Sequence, residues 1–135
     1  MLLLDTMVVS ETAKLRPDPR VRAWLDVTDP ALFHVSVITL GEIAAGIEKK
    51  RLSDPLFSAR LDRWADNLRE DFRDRTFFIT TEIALRWGRL FVLLKRRDMD
   101  LLIAATALEH GLTVVTRNTR HFEPTGAKLL NPYET

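Results

Sequence analysis

"DLLIAATALEHGLTVVTRN", residues 100–118, places a helix, its stop signal and a strand in direct succession. DLLIAATALEHG (100–111) reads as a helix that ends at Gly111, a natural residue just past a helix C-terminus because glycine adopts left-handed backbone without penalty. LTVVTR (112–117) is short, apolar and β-branched, and reads as a strand. A helix feeding a strand this directly is half of a β-α-β unit. In such a right-handed unit the helix runs antiparallel to the strand it feeds. Asp100, in the first turn of the helix, and Thr116-Arg117-Asn118, at the end of the strand, are therefore expected at one edge of a sheet.

The rest of the chain repeats this grammar. MLLL (1–4) reads as a buried strand that ends on Asp5. DPRVRAWLDV (18–27) opens a helix with Asp18 as cap and Pro19 at the first helical position. LFHVSVIT (32–39) reads as a strand, TLGEIAAGIEKKR (39–51) as a helix. DPLFSARLDRWADNLREDFRD (54–74) opens with the same Asp-Pro signal, and Phe57, Leu61, Trp64, Leu68 and Phe72 recur at steps of three and four, an amphipathic helix. TFFIT (76–80) reads as a short strand, EIALRWGRLFVLLKRRD (82–98) as a helix with a basic last turn, and AKLLN (127–131) as a last edge strand. Strands alternating with helices predict a single α/β domain over residues 1–135. Its mainly parallel sheet has four to five strands, with helices on both faces.

Composition narrows the function. The net charge of +1, with 46% hydrophobic and 29% charged residues, describes a globular chain and leaves a nucleic-acid partner to local clustering of charge. The absence of cysteine removes disulfides, thiolate metal sites and thiol catalysis, and suits a reducing cytoplasm. No apolar run approaches the roughly 18 residues of a membrane span, and Asp5 interrupts the apolar N-terminus in a way a signal peptide would not.

Three acids converge under this topology. Asp5 ends the first strand, Glu42 follows the second, and Asp100 opens the helix that feeds LTVVTR; all map to the carboxyl edge, where open α/β sheets bind ligands. Each has a plainer reading. Glu42 fits a capping box with Thr39. Asp100 suits a helix first turn, where Asp98 competes as cap. Asp5 could cap a following turn. Jointly, packed carboxylates repel and raise each other's pKa, a penalty that a hard divalent cation such as Mg²⁺ or Mn²⁺ removes.

LDTMVVSE (4–11), SVITLGEIAAGI (36–47), DLLIAATALEHGLTVVTRNTRHF (100–122) and LLNPYE (129–134) together resemble the PIN-domain ribonucleases, and among them the VapC-type toxins of bacterial toxin–antitoxin pairs. The resemblance spans essentially the whole chain. It implies clustered acids with Asp5, Glu42 and Asp100 as metal ligands, a Mg²⁺ or Mn²⁺ cofactor, RNA cleavage, a homodimer and inhibition by a cognate antitoxin. DNA would be reached only through that antitoxin. Thr6 and Asp98 flank the acids, Thr116 could bond a metal-bound water, and Arg117 could hold a phosphate or lie on the surface.

Two departures stand out. The family usually carries Asn where this chain has Met7, and a fourth acid at the position of Asn118 or of His121. Asn118 still offers a carbonyl oxygen, and His121 either meets the cation or lies in solvent. Lys95-Arg96-Arg97 could follow an RNA backbone or simply end a helix. The helix pair around residues 39–72 carries more apolar and aromatic residues than one sheet face needs, so it is expected to wall a groove for an antitoxin segment. A dehalogenase-type phosphatase would want D-x-D where Asp5-Thr6-Met7 stands, and GEIAAGIE (41–48) lacks the Lys-Ser/Thr of a P-loop. The rival function is a PIN fold with an eroded site, acting as the antitoxin-bound partner in a DNA-binding regulatory complex.

Overall fold

Leu3 and Leu4 are neighbours in the chain and belong to different cores. The computed structural model describes residues 1–134. In it, strand β1 (Leu2–Leu4) leads into α1 (Thr6–Glu11) and α2 (Pro19–Val27), then β2 (Phe33–Ser36), α3 (Val37–Ser53), α4 (Pro55–Asp71) and β3 (Thr76–Phe77). α5 (Thr81–Leu94), α6 (Asp100–His110), β4 (Thr113–Val115), α7 (Thr119–Phe122) and β5 (Lys128–Leu130) complete it. The five strands are all parallel, in the order β3-β2-β1-β4-β5. Successive strand residues face opposite ways. Leu4 and Val115 pack with Val8, Val21, Ile43 and Leu68 under α1–α4, while Leu3 and Val114 pack with Ile83, Leu101, Ile103 and Phe122 under α5–α7. Helices thus cover both faces, and each fully buried Leu or Ile contributes about 1.5–3 kcal/mol.

The chain builds outward from β1 to β2 and β3, then crosses back to place β4 and β5 on the other side. The order therefore reverses between β1 and β4, and the crevice at their carboxyl ends is the switch point of the sheet.

Several local expectations change. The strand expected over 32–39 stops at Ser36, whose hydroxyl accepts from the Ile38 N–H at 3.0 Å and starts α3 at Val37, ahead of the expected Thr39. The β-branched run Val37-Ile38-Thr39 is helical because the cap and the burial of Thr39, Ile43 and Ile47 outweigh local propensity. The strand expected over 76–80 shrinks to two residues. α5 ends at Leu94 on a left-handed Lys95 (φ 55°), so Arg96 and Arg97 lie beyond the helix and form no basic last turn. α1 and α7 were not foreseen. Asp18, Asp54 and Gly111 terminate helices as expected. Among the described residues, no helix is long and apolar enough to cross a membrane.

Candidate metal centre in an acid cleft

Asp5 sits at the switch point, and both of its carboxylate oxygens are in use. Oδ1 accepts from the Thr6 N–H at 2.9 Å, which caps α1; Oδ2 accepts from the Thr116 hydroxyl at 2.8 Å. Its own N–H donates to the Val115 carbonyl at 2.9 Å. The capping role and the ligand-edge role thus coincide in one side chain. Burial pushes the Asp5 carboxyl above its ordinary value, against the opposing pull of Thr116, the Thr6 backbone and His121. Thr116 is fully buried, and its oxygen also accepts from the Asn118 N–H at 3.0 Å, so one hydroxyl ties the end of β4 to the acid that ends β1.

Glu42 lies in the second turn of α3. The capping box with Thr39 does not form, because Ser36 is the cap. Instead the Thr6 hydroxyl donates to Glu42 Oε1 at 2.7 Å and stands 3.4 Å from the buried Thr39 hydroxyl.

Asp100 opens α6, and Met99 stands at the cap position with no side-chain cap hydrogen bond. The Asp100 carboxyl is pushed up to about 6, first by burial and then by the charge of Asp5, with Asp98 and Glu42 adding to it and His121 opposing. Asp98 is held below its ordinary value by Arg96, whose Nε and Nη2 donate to it at 2.8 and 3.2 Å. Arg96 also donates through Nη1 to the His121 carbonyl at 2.6 Å. It is a structural clamp rather than part of a free basic track.

His121 does not point away into solvent. Its Nε2 lies 3.4 Å from Asp100 Oδ2 and 3.5 Å from Asp98 Oδ1. One ligand atom from each of Asp98, Asp100 and His121 falls within 4.8 Å of the others, the tightest such grouping among the described residues. The expected trio of Asp5, Glu42 and Asp100 is looser. All three open onto one cleft of about 380 Å³ that Thr6 and Asn118 also line, but they do not close into so tight a group. Arg117 is absent from that lining; its guanidinium lies over the Tyr133 ring, 5.1 Å from the centroid.

Met7, at the position where the family usually carries Asn, also lines the cleft, and so do Ser10 and Lys14, which were not expected there. Their spacing of three and four carries the signal, and it is readable once a helix is started at Asp5. Three carboxylates, Asp5, Glu42 and Asp100, offer hard oxygen donors to the cleft, with Asp100 burdened by three neighbouring negative charges. That chemistry fits a hard divalent cation.

The family description of the PIN domain matches residues 2–127. The chain is 31% identical to "VapC ribonuclease Y4jK" of Sinorhizobium fredii, over 99% of each protein. The solved structure of FitAcB from Neisseria gonorrhoeae superimposes with a TM-score of 0.86 at 29% identity, covering all of both chains. A toxin–antitoxin complex from Klebsiella pneumoniae gives 0.74 at 27% identity, again with both chains fully covered. Matched along its length in sequence and along all of it in fold, this chain belongs to the PIN-domain family.

Proposed function

We propose that the protein is a metal-dependent endoribonuclease acting as the toxin of a toxin–antitoxin pair. The observation that carries this reading is the convergence of Asp5, Glu42 and Asp100 on one cleft at the switch point of the sheet. Asp5, Glu42 and Asp100 would hold Mg²⁺ or Mn²⁺, which supplies a water of lowered pKa and offsets charge at the phosphorus. Thr116 keeps Asp5 pointed into the cleft, and Thr6 does the same for Glu42. The cleft carboxylates take up the proton of the water that attacks the phosphodiester. The bond from phosphorus to the leaving oxygen breaks, and that oxygen takes the proton back from the carboxylate that received it. Asn118, exposed at the rim, supplies an amide where an acid would add charge.

An antitoxin is the proposed partner. An apolar groove of about 230 Å³ runs beside the cleft, walled by Ile43 and Ile47 of α3 and by Phe57, Leu61 and Trp64 of α4. It agrees with the groove expected of that helix pair and suits the apolar face of an amphipathic segment. The proposed homodimer has a surface available in Leu85, Val92 and Leu93 of α5, exposed by 58, 71 and 76%.

The eroded-site reading is favoured by two features: Met7 stands where the family usually carries Asn, and His121 and Asn118 occupy the places where a fourth acid is usual. RNA cleavage by the purified chain in Mg²⁺ or Mn²⁺, with EDTA and Asp5→Asn controls, decides between the two. Cleavage abolished by both controls supports the nuclease. No cleavage by the wild type, alongside copurification with an antitoxin that confers DNA binding, supports the rival.

A further inference from the structure

We propose that Lys14 grips a phosphate of the RNA strand at the wall of the acid cleft, and that the buried Glu11 is what aims it; this rests on the nuclease reading above. Among the described residues that line the cleft, Lys14 is the only cation. A polyanion entering beside Asp5, Glu42 and Asp100 is repelled by each of them. A single ammonium on the wall gives the backbone one place to settle, and so sets where along the strand the scissile bond lies.

Glu11 explains how so flexible a side chain can position anything. It is the last residue of α1 and only 2% exposed. Lys14 Nζ lies 2.8 Å from Glu11 Oε1 and 3.3 Å from Oε2, while the lysine side chain itself stays 56% exposed. The other partner of Glu11 is the Asp18 N–H at 3.4 Å, so the carboxylate is fixed at the turn between α1 and α2. An ammonium carries three donors. The two Glu11 oxygens occupy at most two of them, and at least one is left for a ligand in the cleft. A free lysine loses much of its rotamer freedom on gripping an anion. Here the pair with Glu11 has already removed that freedom.

Lys14 also lines the apolar groove. With Ser10, which lines both as well, it stands where the cleft and the groove meet.

A purely structural role predicts that Lys14 only neutralises Glu11. The two roles separate in kinetics and in salt dependence. The test compares wild type, Lys14→Met, Lys14→Arg and the double variant Glu11→Gln/Lys14→Met, which leaves no buried carboxylate unpaired if Lys14→Met alone fails to fold. Cleavage of a short single-stranded RNA of mixed sequence is followed in Mn²⁺, and binding of the same RNA is measured in EDTA across a salt series. Removing Lys14 is expected to raise KM by about 10- to 100-fold with kcat nearly kept, as for loss of a charge-assisted hydrogen bond made equally in ground and transition states. The slope of log affinity against log salt should shrink by about 0.7, one phosphate contact on a single strand. Lys14→Arg should recover most of the affinity. Unchanged KM and salt slope in a folded Lys14→Met or double variant overturn this inference while the nuclease stands. A wild type that cleaves no RNA overturns both.

Discussion

Asp100→Asn should make the metal-free protein more stable at neutral pH, although it removes a candidate ligand. The Asp100 carboxyl is pushed from 3.8 to about 6 by burial and by Asp5, Asp98 and Glu42. Taken in full, a rise from 3.8 to about 6 corresponds to about 3 kcal/mol; the cleft is open to water, and screening reduces this to about 1.5 kcal/mol. The sign follows from linkage. A carboxyl whose folded pKa exceeds its unfolded one binds its proton more tightly when folded, so its stabilising contribution is complete below about pH 4 and lost as pH rises through about 6. Asparagine cannot ionise and loses nothing over that range. Urea or thermal unfolding in EDTA should therefore show wild type and Asp100→Asn nearly equal at pH 4. By pH 7.5 the variant should be ahead by about 1.5 kcal/mol, or about 5 °C in Tm. Added Mn²⁺ should reverse the order, because it stabilises only the protein that binds it. A variant less stable than wild type at pH 7.5 without metal, or two parallel pH profiles, would refute the crowding of charge on which the metal centre is argued.

Thr116→Val, nearly isosteric and fully buried, should cost about 1.5–3 kcal/mol in urea unfolding at pH 7 because Asp5 loses its hydroxyl donor; a loss under about 0.5 kcal/mol would show that this bond positions nothing. Met7→Asn should change stability by no more than about 0.5 kcal/mol, since Met7 is 46% exposed on the cleft wall. If the amide that the family usually carries at this position orients Asp5, Mn²⁺ should bind the variant about 10-fold more tightly by calorimetry, and an unchanged affinity would show that it does not. His121→Asp places a fourth carboxylate beside Asp100, where Nε2 now stands 3.4 Å away. It should tighten Mn²⁺ binding and lower the metal-free Tm at pH 7.5, and an unchanged affinity would remove that position from the metal shell.

What could be read from residues alone was set by punctuation. Asp-Pro at 18–19 and 54–55 and Gly111 fixed helix ends because caps are local chemistry. The carboxyl-edge placement of Asp5, Glu42 and Asp100 followed from topology, which a parallel sheet makes nearly obligatory. Elsewhere tertiary packing decided. Val37-Ile38-Thr39 have strand-forming side chains and are helical. TMVVSE after Asp5 is too short to show a clear helical period, so α1 went unseen and with it the cleft-facing Ser10 and Lys14. The choice for His121 between cation and solvent stayed open for another reason. Its approach to Asp100 depends on Arg96 holding its carbonyl, a contact across twenty-five positions of chain that no local pattern records.

The hydrogen bond between Asp5 and Thr116 joins residues that lie 111 positions apart. A ribosome adding about 5–20 residues per second releases Asp5 roughly 5 to 20 s before Thr116 exists. Until then β1 pairs with β2 alone, has no β4 beside it, and Asp5 lacks its hydroxyl donor. An unfinished chain thus carries the acids without the centre. For a protein proposed to cut RNA, the translation machinery that makes it meets the finished cleft only after β4 has followed β1 out of the ribosome.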